Sequence, residues 1–167
     1  MQPLRLPDVT CAPGRTRTDT GTLLRGLPLP LGYGGGSIVQ TVRVTDVTTW
    51  SAPVRYAEVD RQRVVFNSHY LLYCDEAMGA YLAERGLLHL ADEVQLVTST
   101  LSWTAPARWG DVVDVDASCT RVGTSSFTMH FEIRVGDRLC CVVDTTYVYA
   151  EDGAPRPLPD DARAALH

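Results

Sequence analysis

Residues 54–86 read VRYAEVDRQRVVFNSHYLLYCDEAMGAYLAERG, and the rest of the chain is organised around them. The stretch opens as a short strand, passes a turn carrying Asp60, and continues as one long helix. Within the helix, Tyr70, Cys74, Ala77 and Tyr81 recur at helical spacing together with Leu71, Met78 and Leu82. They make a broad apolar stripe. Asn67 or Ser68 is the expected N-cap, and Gly86 after Arg85 is the expected stop. That gives roughly 18 residues, or about 27 Å at 1.5 Å per residue.

Downstream of the helix the period changes to two. Val94–Thr104 is an expected strand, closed by Pro106 and Gly110-Asp111. Val113, Val115, Ala117 and Cys119 alternate with Asp114, Asp116, Ser118 and Thr120, the pattern of a half-buried strand. Phe127, Met129, Phe131 and Ile133 alternate with polar partners in the same way, and Gly136-Asp137 turns the chain into a last strand over Arg138–Ala150. Short connections require antiparallel pairing. One apolar sheet face with one helix to cover it is an α+β layer structure, the sheet wrapping the helix. Arg138–Ala150 and Val113–Thr120 are the strands expected at uncovered edges, where a second copy would pair. Upstream, residues 1–47 are rich in Pro, Gly, Thr and Arg, and we read them as an extension; a strand over Ile38–Val47 is possible.

Composition narrows the function. At 167 residues and 45% hydrophobic the chain can bury one domain core, and a net charge of −5 without a basic run gives no footprint for nucleic acid. All basic residues are arginine. The five cysteines lack CxxC spacing and fall mostly inside apolar periodic segments, which reads as reduced thiol rather than a disulfide framework or a zinc site. No stretch is long and apolar enough to span a membrane, and no signal-peptide h-region opens the chain. The expected compartment is the cytoplasm.

The order of elements and the residues that fill it resemble the hotdog fold, specifically the 4-hydroxybenzoyl-CoA thioesterase family. The resemblance rests on Glu58-Val59-Asp60, the spacer to Arg63, the apolar Val64-Val65-Phe66, and Asn67-Ser68-His69-Tyr70 opening the helix. Pro106 with Gly110-Asp111, Gly123 before Ser125-Ser126-Phe127, and the closing Tyr147-Val148-Tyr149 extend it over roughly Thr48 to Ala165. Two positions depart from the pattern. Arg63 stands where the family usually has Gly, which strains the turn if it needs a positive φ. Asn67 and His69 exchange the places that His and Asn hold in many relatives.

The resemblance implies hydrolysis of an acyl thioester carried by coenzyme A or by an acyl carrier protein. Asp60 would act as general base or nucleophile, and the backbone N–H of Asn67 would polarise the carbonyl. Arg63, Phe66, His69, Tyr70 and Ser125 would be substrate contacts, although core and interface is the simpler reading of Tyr70. Asp75 and Glu76, two turns into the helix, occupy the place where some hotdog enzymes keep their carboxylate; a solvated or interface face is the simpler reading of them. No metal and no organic cofactor is implied. Because hotdog sites close between protomers, the resemblance implies a homodimer or homotetramer. Release of a polyketide or fatty acyl chain from a carrier protein, and acyl-CoA binding without catalysis, stand beside hydrolysis as alternatives.

Overall fold

A computed structural model describes residues 46–166. The extension, and all but the last two residues of the possible strand at its end, lie outside the described residues. The elements run β1 (Thr48–Pro53), α1 (Asn67–Glu84), β2 (Val94–Trp103), β3 (Val112–Val122), β4 (Ser126–Val135), β5 (Arg138–Glu151), β6 (Ala154–Pro155) and α2 (Asp160–Ala165). All strand pairings are antiparallel, in the order β1-β3-β4-β5-β2, with β6 a two-residue addition to β5. Among the described residues no helix is long and apolar enough to cross a membrane.

The period-two pattern becomes the inner face of this curled sheet. Val113, Val115 and Ala117 of β3, Phe127, Met129, Phe131 and Ile133 of β4, and Cys141, Val143 and Tyr147 of β5 are all buried. Against them lies the stripe of α1, with Tyr70, Tyr73, Cys74, Ala77, Met78, Tyr81 and Leu82 buried. Fully burying a side chain of this size contributes about 1.5–3 kcal/mol. The long helix α1 is therefore the main cover that the sheet's apolar face requires. Cys140 and Cys141 are both fully buried although consecutive. A register shift between Ile133 and Arg134 of the facing strand leaves Cys140 as the extra residue, so the chain turns two neighbours inward at once.

The helix ends where Gly86, at φ 69°, takes the left-handed conformation. Gly86 N–H donates to Ala83 O (3.1 Å) and Leu87 N–H to Leu82 O (2.8 Å), a Schellman closure. Arg85 caps the same end, its guanidinium 3.5 Å over the Tyr81 ring and bonded to Tyr81 O and to Thr48 Oγ1 of β1. A cation here also complements the negative end of the helix dipole.

Three expectations need correction. The short strand expected to open the 54–86 stretch is β1 further upstream, and Tyr56–Glu58 is a single 3-10 turn. The Glu58 carboxylate takes the Arg55 N–H (2.8 Å) and Arg55 Nε (2.7 Å), which curls the chain out of the sheet. The N-cap is Phe66, not Asn67 or Ser68, because the main chain does the capping: Phe66 N–H donates to Glu58 O and Phe66 O accepts from His69 N–H, each at 2.9 Å. The free edges are β1 and β2, since β3 and β5 each have neighbours on both sides.

Asp60 to Val64 form a tight loop: Arg63 N–H reaches Asp60 O and Asp60 N–H reaches Val64 O, each at 2.9 Å, and Val59 bridges Val65. Arg63 closes it at φ 62°. This is the left-handed position that follows a type I turn in a three-residue hairpin loop. A residue with a Cβ costs about 1–2 kcal/mol there. Part of that is offset by the entropy glycine would add to the unfolded chain. Arg63→Gly should therefore stabilise the protein by about 1 kcal/mol, raising the melting temperature by about 4 °C in a thermal unfolding experiment.

Candidate active site

α1 begins with Asn67, Ser68 and His69, and no acidic residue occupies its first turn. As the first and second helical residues, Asn67 and Ser68 have amide N–H groups with no acceptor inside the helix. About half a unit of positive charge is concentrated there. Asn67 borders a cleft of about 280 Å³. Val64, Val65, Asn67 and Tyr70 line one side of it, and Trp103, Thr104, Ala105 and Pro106 line the other. Val65 N–H donates to Ala107 O (2.8 Å), which seams the two walls together at their base.

Asp60 is half-buried in the loop behind Val64. Its Oδ1 accepts from Gln62 N–H at 2.7 Å and more weakly from Val64 N–H at 3.5 Å. Among the described residues Oδ2 takes no hydrogen bond. Two roles thus separate on one carboxylate: one oxygen shapes the loop, and the other is left with lone pairs to use. Asp60 is not itself a wall of the cleft; Val64, bonded to it at both main-chain and side-chain level, is.

Tyr70 is buried in the cleft wall, its ring edge-on to Trp103 with centroids 6.2 Å apart and its hydroxyl accepting from Ala107 N–H at 3.2 Å. Burial pushes its phenol above the usual range, against the pull of that amide. It is both core and wall. His69 is half-buried; its Nδ1 is shielded from solvent and has no hydrogen-bond partner among the described residues. Phe66 is half exposed at the helix entrance and Arg63 is exposed in the turn. Ser125 stands apart from all of these. It lies in the β3–β4 turn, where its carbonyl accepts from Tyr149 N–H (2.9 Å), at the far end of the sheet from the cleft.

Asp75 and Glu76 are exposed on the outward side of α1, in a separate groove with Trp50, Leu72, Gly79 and Ala83. Partial desolvation pushes the Asp75 carboxyl up, opposed by the Tyr147 hydroxyl at 3.4 Å. Among the described residues no group of three or more His, Cys, Asp or Glu gathers to hold a metal ion.

The 103–106 segment was not singled out as a wall by its sequence. The available signal was Trp103 at the end of a strand with a proline three residues on, the composition of a strand that stops against something. In the sequence Glu58 is only a member of the Glu58-Val59-Asp60 run. Its burial, at 3% exposed, is a tertiary fact.

Comparison with known proteins agrees with this architecture. A putative esterase of Aquifex aeolicus is 23% identical over 118 residues, 68% of this chain and 92% of the relative. The 1,4-dihydroxy-2-naphthoyl-CoA thioesterase from Synechocystis is structurally similar, with TM-score 0.65 and 24% identity over 72% of this chain and 95% of that one. A thioesterase of Thermus thermophilus, solved with coenzyme A and zinc, gives TM-score 0.67 and 23% identity over 72% and 92%. Residues 62–142, about half of the chain, match the family description "Thioesterase superfamily". With its curled antiparallel sheet around α1 and this match, the chain has the hotdog fold, belongs to the thioesterase superfamily, and is an enzyme of the thioester-hydrolase class.

Proposed function

We propose that the protein hydrolyses an acyl thioester in the cleft at the start of α1, with Asp60 as general base and the Asn67 amide as the electrophilic contact. The observation that carries this is the meeting, at one cleft, of a helix start free of acidic side chains with a loop whose aspartate keeps one oxygen unbonded. The thioester carbonyl oxygen lies at the Asn67 N–H. Asp60 Oδ2 takes a proton from water as the water oxygen bonds to the carbonyl carbon. The negative charge that develops on the carbonyl oxygen faces the positive end of the helix, where one such donor is typically worth about 3–4 kcal/mol. The C–S bond then breaks, the thiolate recovers the proton from Asp60, and free acid and thiol leave. Direct attack by the Asp60 carboxylate, followed by hydrolysis of the mixed anhydride, uses the same placement.

Tyr70 and Trp103 offer the acyl group aromatic wall, and His69, half-buried in the first turn of α1, is a further substrate contact. Phe66 and Arg63 stand where the pantetheine arm enters, Arg63 meeting a phosphate of coenzyme A or of a carrier protein. The buried free thiols Cys74, Cys140 and Cys141 suit the reducing cytoplasm.

The active unit is a homodimer, alone or within a tetramer, joined through β2. This ten-residue edge strand exposes Leu96, Val97 and Trp103, an open template for a second copy. Two-fold antiparallel pairing centred on mid-strand sets the Val94 end of one copy beside the Trp103 end of the other. Val94 pairs with Tyr149, whose N–H is held by Ser125 O, so Ser125 of the partner subunit arrives at the cleft that its own chain keeps remote. In this arrangement Ser125 is a substrate or water contact across the interface.

Asp60→Asn keeps the Oδ1 acceptor that shapes the loop while removing the base. Release of free thiol from a panel of aromatic and aliphatic acyl-CoAs should fall by a factor of about 100 or more, equivalent to about 2.7 kcal/mol, in a protein that remains folded. Equal rates would move the chemistry elsewhere. Val97→Asp should turn the dimer into monomers by light scattering and lose turnover in proportion; a monomer with full turnover would end the shared-site reading.

A further inference from the structure

Glu58 is the most enclosed carboxylate in the loop before α1, and hydrolysis as described gives it no part. Its Oε2 accepts from the Tyr73 hydroxyl at 2.7 Å and from Arg55 N–H at 2.8 Å, and its Oε1 accepts from Arg55 Nε at 2.7 Å. Burial alone would push this carboxyl up, but the Arg55 amide, the Tyr73 hydroxyl and the Arg55 guanidinium together hold it below its usual range. It remains a buried anion bonded on both oxygens.

The main chain of the same residue does something different. Glu58 O accepts the N–H of Phe66, the N-cap of α1. Glu58 thus grips α1 twice, at its entrance through the backbone and two turns in at Tyr73 through the side chain. One bond fixes a distance, whereas two bonds at different heights along the helix fix an angle. Asp60 follows two residues later, on the loop bridged by Val59 and Val65.

We infer that the Glu58–Tyr73 hydrogen bond is a positioning device for the reaction: it sets the angle at which the Asp60 loop faces the first amides of α1. The inference rests on Asp60 being the base. Its sequence signal is the fifteen-residue separation of an acid in the loop from a tyrosine on the stripe of the helix.

The test is a double-mutant cycle on the full chain with acyl-CoA as probe. Tyr73→Phe removes one oxygen and leaves the ring against Trp50 and Tyr70. It should lower kcat by roughly 10–30-fold with KM within about twofold, at a temperature where circular dichroism reports full folding. In the Asp60→Asn background the same change should cost less than about twofold, because a positioning residue has nothing left to position. Glu58→Gln should repeat the kcat loss wherever it folds. Wild-type kcat in Tyr73→Phe, or losses that multiply in the double mutant, would overturn the positioning role. An Asp60→Asn enzyme at wild-type rate would instead overturn the base assignment, and with it any action of the clamp through Asp60.

Discussion

One curled sheet with a single apolar face cannot stand in water, and one long helix is the main cover that the described chain offers it. Everything else follows from that constraint. The helix must be long enough to span the strands, so it runs from Asn67 to Glu84 with seven buried side chains on one stripe. Its two ends then meet the surface with polar groups that the helix itself leaves unmatched. The C-terminal end is closed by Gly86 and Arg85. The N-terminal end is held from outside, by the carbonyl of Glu58 on Phe66, and its first residue, Asn67, borders a cleft. The candidate site is the end of the helix that the fold leaves unsealed.

That asymmetry explains why a thioester suits the place. A carbonyl oxygen gaining charge is matched by helix amides that are fixed before the substrate arrives, so little reorganisation accompanies the reaction. The proposed base comes from a different element, the Asp60 loop, whose shape depends on the same carboxylate that would do the chemistry. Loop and helix are tied by hydrogen bonds as well as by the packing of Val65, and the hydrogen bonds make their relative angle sensitive to single atoms.

Much of this was legible in the sequence because it is local. The alternation in β3, β4 and β5, the helical stripe and Gly86 all report on one element at a time, and each corresponds to what the fold contains. Strand order was not legible: periodicity says which face a strand buries but not which neighbours it has. That is why β3 and β5 were expected at the edges that β1 and β2 occupy. The helix cap was missed for a related reason. Asn67 and Ser68 are the residue types that cap, but a carbonyl from Glu58, nine residues before Asn67, had already fixed the entrance. Arg63 is the reverse case, where a substitution against the family pattern pointed to a left-handed residue and the loop carries one. For the candidate site, the stretch from Asp60 to Tyr70 was readable because it is continuous, whereas the wall at 103–106 and the remoteness of Ser125 depend on the fold.

The bulge that turns Cys140 and Cys141 inward together has a consequence for how the molecule can be watched. Burial raises the Cys141 thiol to about 11 and pushes Cys74 higher still, so near neutral pH these two are protonated as well as enclosed. A disulfide-exchange dye needs thiolate and access, and the folded sheet denies both. Among the described residues, the enclosed cysteines therefore add little to the signal of a thiol liberated from a substrate. When the dye does take up signal from Cys140 and Cys141, it is timing the moment at which β5 lifts away from α1.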